Sequence, residues 1–133
     1  MSKDRVTLVV PARSEYARTV RMTAAELAAR LGMSYDEVDD VRMAAEEAFV
    51  YACECAGDQP DVTFAFILDD GELRVEVGPL PECCTPEGGH TTSGSYAEFI
   101  LQSVCDEFAI SHEAGACTLR LCRRVSSSGD DVA

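Results

Sequence analysis

Basic residues are scarce in this chain: 11 Lys and Arg stand against 24 Asp and Glu, a formal net charge of −13 over 133 residues. That scarcity argues against a nucleic-acid groove, because neutralising phosphates needs clustered Lys and Arg. A basic protein partner remains compatible with it, and an acidic surface also aids solubility. Long apolar runs are missing as well. None approaches the ~18 residues a membrane span needs, and no apolar stretch of signal-peptide type follows the opening MSKDR. A cytoplasmic protein that binds neither membrane nor nucleic acid is therefore expected. Neither a P-loop nor a G-x-S-x-G motif occurs.

Cysteine is plentiful, at seven residues, but its spacing excludes more than it suggests. Positions 53/55, 83/84, 105, 117 and 122 match no disulfide framework of a small secreted module. Cys53 and Cys55 lie on a predicted helix about 200° apart, so they cannot face one metal. No C-x2-4-C pair sits at a turn, the arrangement zinc prefers. Reduced thiols acting mostly as small buried hydrophobes are expected. His90 and His112 have no Cys or carboxylate at ligand spacing and read as surface residues, and no metal site is expected.

An apolar content of 47% fits a globular chain. The length suits one domain, read as residues 1–125 with a frayed polar tail at 126–133. Residues 5–11, RVTLVVP, predict a strand closed by Pro11. From Ser14, the spacing of Tyr16, Val20, Ala24, Leu27 and Leu31 predicts a helix that Gly32 stops. Ser34-Tyr-Asp-Glu37 is a capping box opening a second helix, and Asp36 suits its positive end.

Along that helix Val38, Val41, Ala45, Ala48, Ala52 and Cys55 form an apolar stripe of small residues, which allows close packing on a sheet. Glu47 and Tyr51 fall on one flank, one turn apart, and Glu46 on the other. Strands 61–68 and 72–78 flank Asp69-Asp70-Gly71, the strongest hairpin signal present. A Pro/Gly/Thr-rich loop over 79–94 precedes a helix at about 95–105. Two closing strands, EFAISHE and ACTLRLCRR, meet at Ala114-Gly115. The order β-α-α-β-β-loop-α-β-β predicts a two-layer α/β sandwich, with helices on one face of a mainly antiparallel mixed sheet.

The stretches VVPARSEYARTVR (9–21) and LGMSYDEVDDVRMAAEEA (31–48) resemble the anti-sigma-factor serine kinases, small members of the GHKL, or histidine-kinase-like, ATPase superfamily. The likeness is strongest to about residue 56 and reaches about residue 124 in element order. It implies a protein that holds a sigma factor off RNA polymerase, phosphorylates an antagonist protein with ATP and Mg²⁺, and forms a homodimer.

Three family signatures depart here. The Glu that acts as general base is matched by Glu47, but the Asn that holds Mg²⁺ four residues on is Tyr51. A neutral phenol is a poor ligand for a cation that wants octahedral hard oxygens. The adenine-binding Asp with spaced glycines is replaced by V-E-V-G-P-L-P-E-C-C, where Gly78 stands alone, Pro79 and Pro81 remove donors, and Glu82 is a substitute of uncertain register. The Gly-x-Gly that meets phosphates at the last helix falls on Ser95 and Ala97, with Tyr96 between and Glu98 adding negative charge. Gly88, Gly89 and Gly94 lie in the loop and do not restore the pattern.

Metal, adenine and phosphate contacts are weakened together, so a scaffold acting by protein binding is expected, with no cofactor. The alternatives are an active serine kinase using Glu47, ATP and Mg²⁺, and a cysteine-based redox or metal regulator drawing on thiols such as Cys83-Cys84. The resemblance also implies a partner surface on the first helix. Arg18 matches a family arginine that contacts both sigma factor and antagonist, and Arg13 and Arg21 add positive charge beside it.

Overall fold

The computed structural model describes residues 3–81 and 92–126. Its elements run β1 (Asp4–Pro11), a short 3-10 turn (Ser14–Tyr16), α1 (Ala17–Arg30), α2 (Tyr35–Cys55), β2 (Asp61–Asp69), β3 (Glu72–Pro81), α3 (Thr92–Val104), β4 (Glu107–Glu113) and β5 (Ala116–Arg124). The sheet order is β1-β2-β3-β5-β4. All four ladders are antiparallel, so the sheet, expected to be mainly antiparallel, is antiparallel throughout.

Local chemistry places the helix ends. Gly32 adopts φ +85° after α1, the Gly32 amide donates to the Ala29 carbonyl (3.0 Å) and the Met33 amide to that of Ala28 (3.3 Å). That pair of bonds is a Schellman stop. At α2 the capping box forms as read: the Ser34 hydroxyl accepts from the Glu37 amide (3.2 Å), while Glu37 Oε1 accepts from the Ser34 amide (2.8 Å). Ala114 and Gly115 both have positive φ, the geometry a two-residue antiparallel turn prefers.

One layer of the core is the sheet face carrying Val62, Phe64, Phe66, Leu73, Val75, Val77 and Leu119; the other is the helix layer. The α2 stripe packs against it as expected at Val41, Ala45, Ala48, Ala52 and Cys55, joined by Ala44, Phe49 and Tyr51. Phe49, Phe64 and Phe66 form a chain of rings with centroids 6.1 and 5.6 Å apart.

Two boundaries differ from the sequence reading. β3 continues through Pro81 rather than ending at Gly78, by shifting register against β5 between Val77 and Leu80. α3 starts at Thr92, three residues before the expected start, because its first turn is polar and carries no apolar periodicity. The middle of the expected loop, with Glu82, Cys83, Cys84, Gly88, Gly89 and His90, lies outside the described residues.

Candidate functional site

α2 presents its two adjacent glutamates in opposite directions. Glu46 turns to α1 and accepts from Arg21 (3.1 Å). Glu47 sits half-buried on the other flank. Burial first, then repulsion from Glu46 and Glu54, pushes its carboxyl above the ordinary range. One turn on, Tyr51 is 3% exposed and belongs to the hydrophobic core. The pair is therefore a strained acid beside a packed ring.

The other residues read from the sequence as nucleotide positions serve the backbone. Gly78 has φ +137°, and a Cβ there would lie 2.9 Å from the Cys117 carbonyl oxygen. Glycine is required at that point by contact with β5 at the register shift. Ser95 and Ala97 are the fourth and sixth residues of α3. An α-helix leaves its first four amides without intrahelical partners, so the amide at Ala97 is consumed by the helix. The Ala97 side chain is buried in the core.

α1 separates the three arginines. Arg13 donates to Glu15 (3.0 Å) and stands 5.5 Å over the Tyr16 ring, and Arg21 is held by Glu46. Arg18 is exposed and makes no ion pair among the described residues. The positive cluster read from the sequence is thus one available cation flanked by two neutralised ones. Beside it, Met22 and Met43 are 56% and 44% exposed, and Arg21, Arg42, Met43 and Glu46 border a depression of about 220 Å³ between α1 and α2.

A polar assembly at the other end of α2 had no sequence signal, because its members lie far apart in the chain. Glu37 Oε2 accepts from the Ser126 amide (2.7 Å), 89 residues away. Arg123 donates to Asp40 (3.0 Å) and Asp106 (3.4 Å). Burial by itself pushes the Glu37 carboxyl up, but the Ser34 and Ser126 amides, the Ser34 hydroxyl and nearby Arg123 together hold it below the ordinary range.

Cysteine chemistry is corrected in part. Cys53, Cys105, Cys117 and Cys122 are free thiols, as expected, but Cys55 is disulfide-bonded, its partner outside the described residues. Burial pushes Cys105 up to about 12 and Cys122 up to about 11, which makes both poor nucleophiles. No cluster of three His, Cys, Asp or Glu able to hold a metal occurs among the described residues, and His112 is exposed as expected.

The histidine kinase-like ATPase domain family matches residues 10–122. The chain belongs to that family. It is 25% identical over 134 positions to serine-protein kinase RsbW of Bacillus cereus (strain AH820), covering 87% of this chain and 82% of the relative. Serine-protein kinase RsbW of Bacillus anthracis matches to the same extent.

Among solved structures, the RsbU and RsbW domains of Rv1364c from Mycobacterium tuberculosis match with a TM-score of 0.69 at 22% identity, a likeness of fold. That match covers 91% of this chain and 32% of the other, so this chain spans about a third of that one. The resemblance to the anti-sigma-factor serine kinases is upheld. No helix among the described residues is long and apolar enough to cross a membrane.

Within the family frame, a Mg²⁺-ATP site needs hard-oxygen ligands, an adenine acceptor and open amides. Among the described residues, Tyr51 in the core, Gly78 against β5 and Ala97 inside α3, the positions read from the sequence as its counterparts, do not compose that donor set.

Proposed function

We propose that this protein is an anti-sigma-factor-type regulator that works in the cytoplasm as a homodimer. It grips a protein partner, a sigma factor or an antagonist protein, without efficient ATP binding or kinase activity. The observation that carries this reading is Tyr51. Its ring is packed to 3% exposure one turn after Glu47, at the position where the family's metal-holding amide stands. Arg18 supplies the available cation of the partner face, and the exposed Met22 and Met43 supply adaptable apolar contact beside it.

Titration calorimetry with ATP and Mg²⁺ tests the first half, and no binding in the micromolar range is expected. Capture of a sigma factor from the same genome, lost on Arg18→Glu, tests the second. Micromolar ATP–Mg²⁺ affinity overturns the reading.

One observation favours a second reading, an active serine kinase using ATP and Mg²⁺. The raised carboxyl of Glu47 is the state a general base toward a serine hydroxyl requires. Transfer of labelled phosphate from ATP to the antagonist protein, abolished by Glu47→Gln, would establish it. Absence of transfer to the cognate antagonist ends it. The high thiol pKa values of Cys105 and Cys122 weigh against a redox regulator built on those two residues.

A further inference from the structure

Among the described cysteines, only Cys55 has its sulfur in a disulfide. Cys53, Cys105, Cys117 and Cys122 are free thiols, so of the seven cysteines Cys83 and Cys84 remain to supply the other sulfur. A chain that keeps four thiols free beside one bond is not a disulfide-built module. Where thiols are held reduced, such bonds are mostly transient, catalytic or redox-sensing.

The position of the bond gives it a task. Glu47, Tyr51 and Cys55 stand at i, i+4 and i+8 of α2, one above another on the same flank. Cys55 ends the helix, is 1% exposed and belongs to the core cluster that also holds Tyr51. The same half of α2 braces the start of α1, where Glu46 holds Arg21, one turn beyond Arg18. Fixing the last turn of α2 therefore also steadies the helix pair beneath Arg18.

We propose that the Cys55 disulfide is a redox switch on α2. Oxidised, it pins the last turn of the helix and steadies the α1 face beside it; reduced by a small dithiol, it releases both. The Cys55 sulfur is buried, so one thiolate of the dithiol attacks the partner sulfur. The S–S bond breaks, and the Cys55 sulfur departs with the bonding electron pair and takes up a proton. The second thiolate of the dithiol then attacks the mixed disulfide, closes the dithiol's own disulfide and returns the partner sulfur as a thiol. Two electrons and two protons pass from the dithiol to the protein, and a small disulfide reverses the exchange. Control of partner capture by this switch rests on the proposed function; the bond and its reversibility do not.

Alkylation of the native chain, read by mass spectrometry, is expected to label Cys53 and to spare Cys55 until a dithiol or millimolar reduced glutathione is added. Reduction is expected to lower the melting temperature by about 5 °C or more. Sigma-factor capture is expected to weaken about fivefold, the lower end of coupling between sites. Cys55→Ala is expected to melt low and capture weakly with or without reductant, whereas Cys53→Ala keeps the full response. Reduction and reoxidation of the native chain carry the same test without any substitution.

Cys55 that is alkylated without reductant, even after treatment with a small disulfide, overturns the inference. So does a bond that survives glutathione, which is a permanent staple, or an oxidised Cys55 in a chain with both Cys83→Ser and Cys84→Ser. Equal capture in the two redox states overturns the control of partner binding. Capture absent from both states removes the proposed function instead, while alkylation and melting still judge the bond.

Discussion

The two ends of α2 solve opposite problems with the same backbone. At the N-terminal end Glu37 is answered by the Ser34 and Ser126 amides, and Asp40 by Arg123. At the C-terminal end Glu47 is half-buried between Glu46 and Glu54, beside a core ring and a disulfide-bonded Cys55. The first end ties the terminus of β5 to the helix layer. The second carries Glu47 and Tyr51, the pair read from the sequence as the general-base and metal positions, and there Tyr51 is packed into the core. One helix thus carries a satisfied structural joint and a carboxylate whose ionised form is disfavoured, 10 residues apart in the sequence, Glu37 and Glu47.

The comparison breaks first if Tyr51 is dispensable. Tyr51→Ala empties a fully packed aromatic site and is expected to cost about 3–5 kcal/mol in urea unfolding. A loss below about 1 kcal/mol would mean that the ring is not core, and the filled-site reading would fail with it.

Next, Glu37→Gln should cost about 1–3 kcal/mol at neutral pH, since a carboxylate receiving two backbone amides is replaced by a neutral amide. The sign with pH is fixed. A carboxyl whose folded pKa is held down contributes stability above its unfolded value and loses it as pH falls, so the deficit of Glu37→Gln is expected to shrink on acidification. A deficit that is constant with pH would make the joint a matter of shape, not of charge.

Asp40→Ala leaves Arg123 with Asp106 alone, its Nε already without a hydrogen-bond partner among the described residues. The expected cost is about 1 kcal/mol by thermal unfolding.

The smallest effect has the opposite sign. The folded state raises the Glu47 pKa, so its ionised form weakens the fold at neutral pH. Glu47→Gln is expected to stabilise by about 0.5 kcal/mol, a gain that fades as pH drops through the ordinary carboxylate range. A destabilised Glu47→Gln would show that Glu47 has a partner worth keeping and would favour the kinase reading.

Much of this was legible in the chain itself. The stripe Val41, Ala45, Ala48, Ala52 and Cys55, the Gly32 stop, the Ser34–Glu37 box and the hairpin at Asp70-Gly71 are local, each written within a few residues. The opposite facing of Glu46 and Glu47 followed from helical geometry, and Arg21 confirms the side that Glu46 takes. Less legible were β3 beyond Gly78 and the first turn of α3. Pro79 and Pro81 look like strand breakers until β5 shifts its register to accept them, and Thr92-Ser93-Gly94 carries no apolar signal. The seven cysteines gave no sign that Cys55 alone among the described residues is oxidised.

The sequence by itself determined the order of elements and the face each helix buries, because periodicity, capping and turn chemistry act over four residues or fewer. Tertiary structure alone decided which arginine of α1 stays available, where the end of β5 is fastened, and that Tyr51 lies inside the core. Those outcomes depend on which distant group arrives beside each side chain: Glu46 at Arg21, Ser126 at Glu37, Arg123 at Asp40. Such pairings are set by the sheet order and by packing of the layers, which no short stretch of the chain encodes.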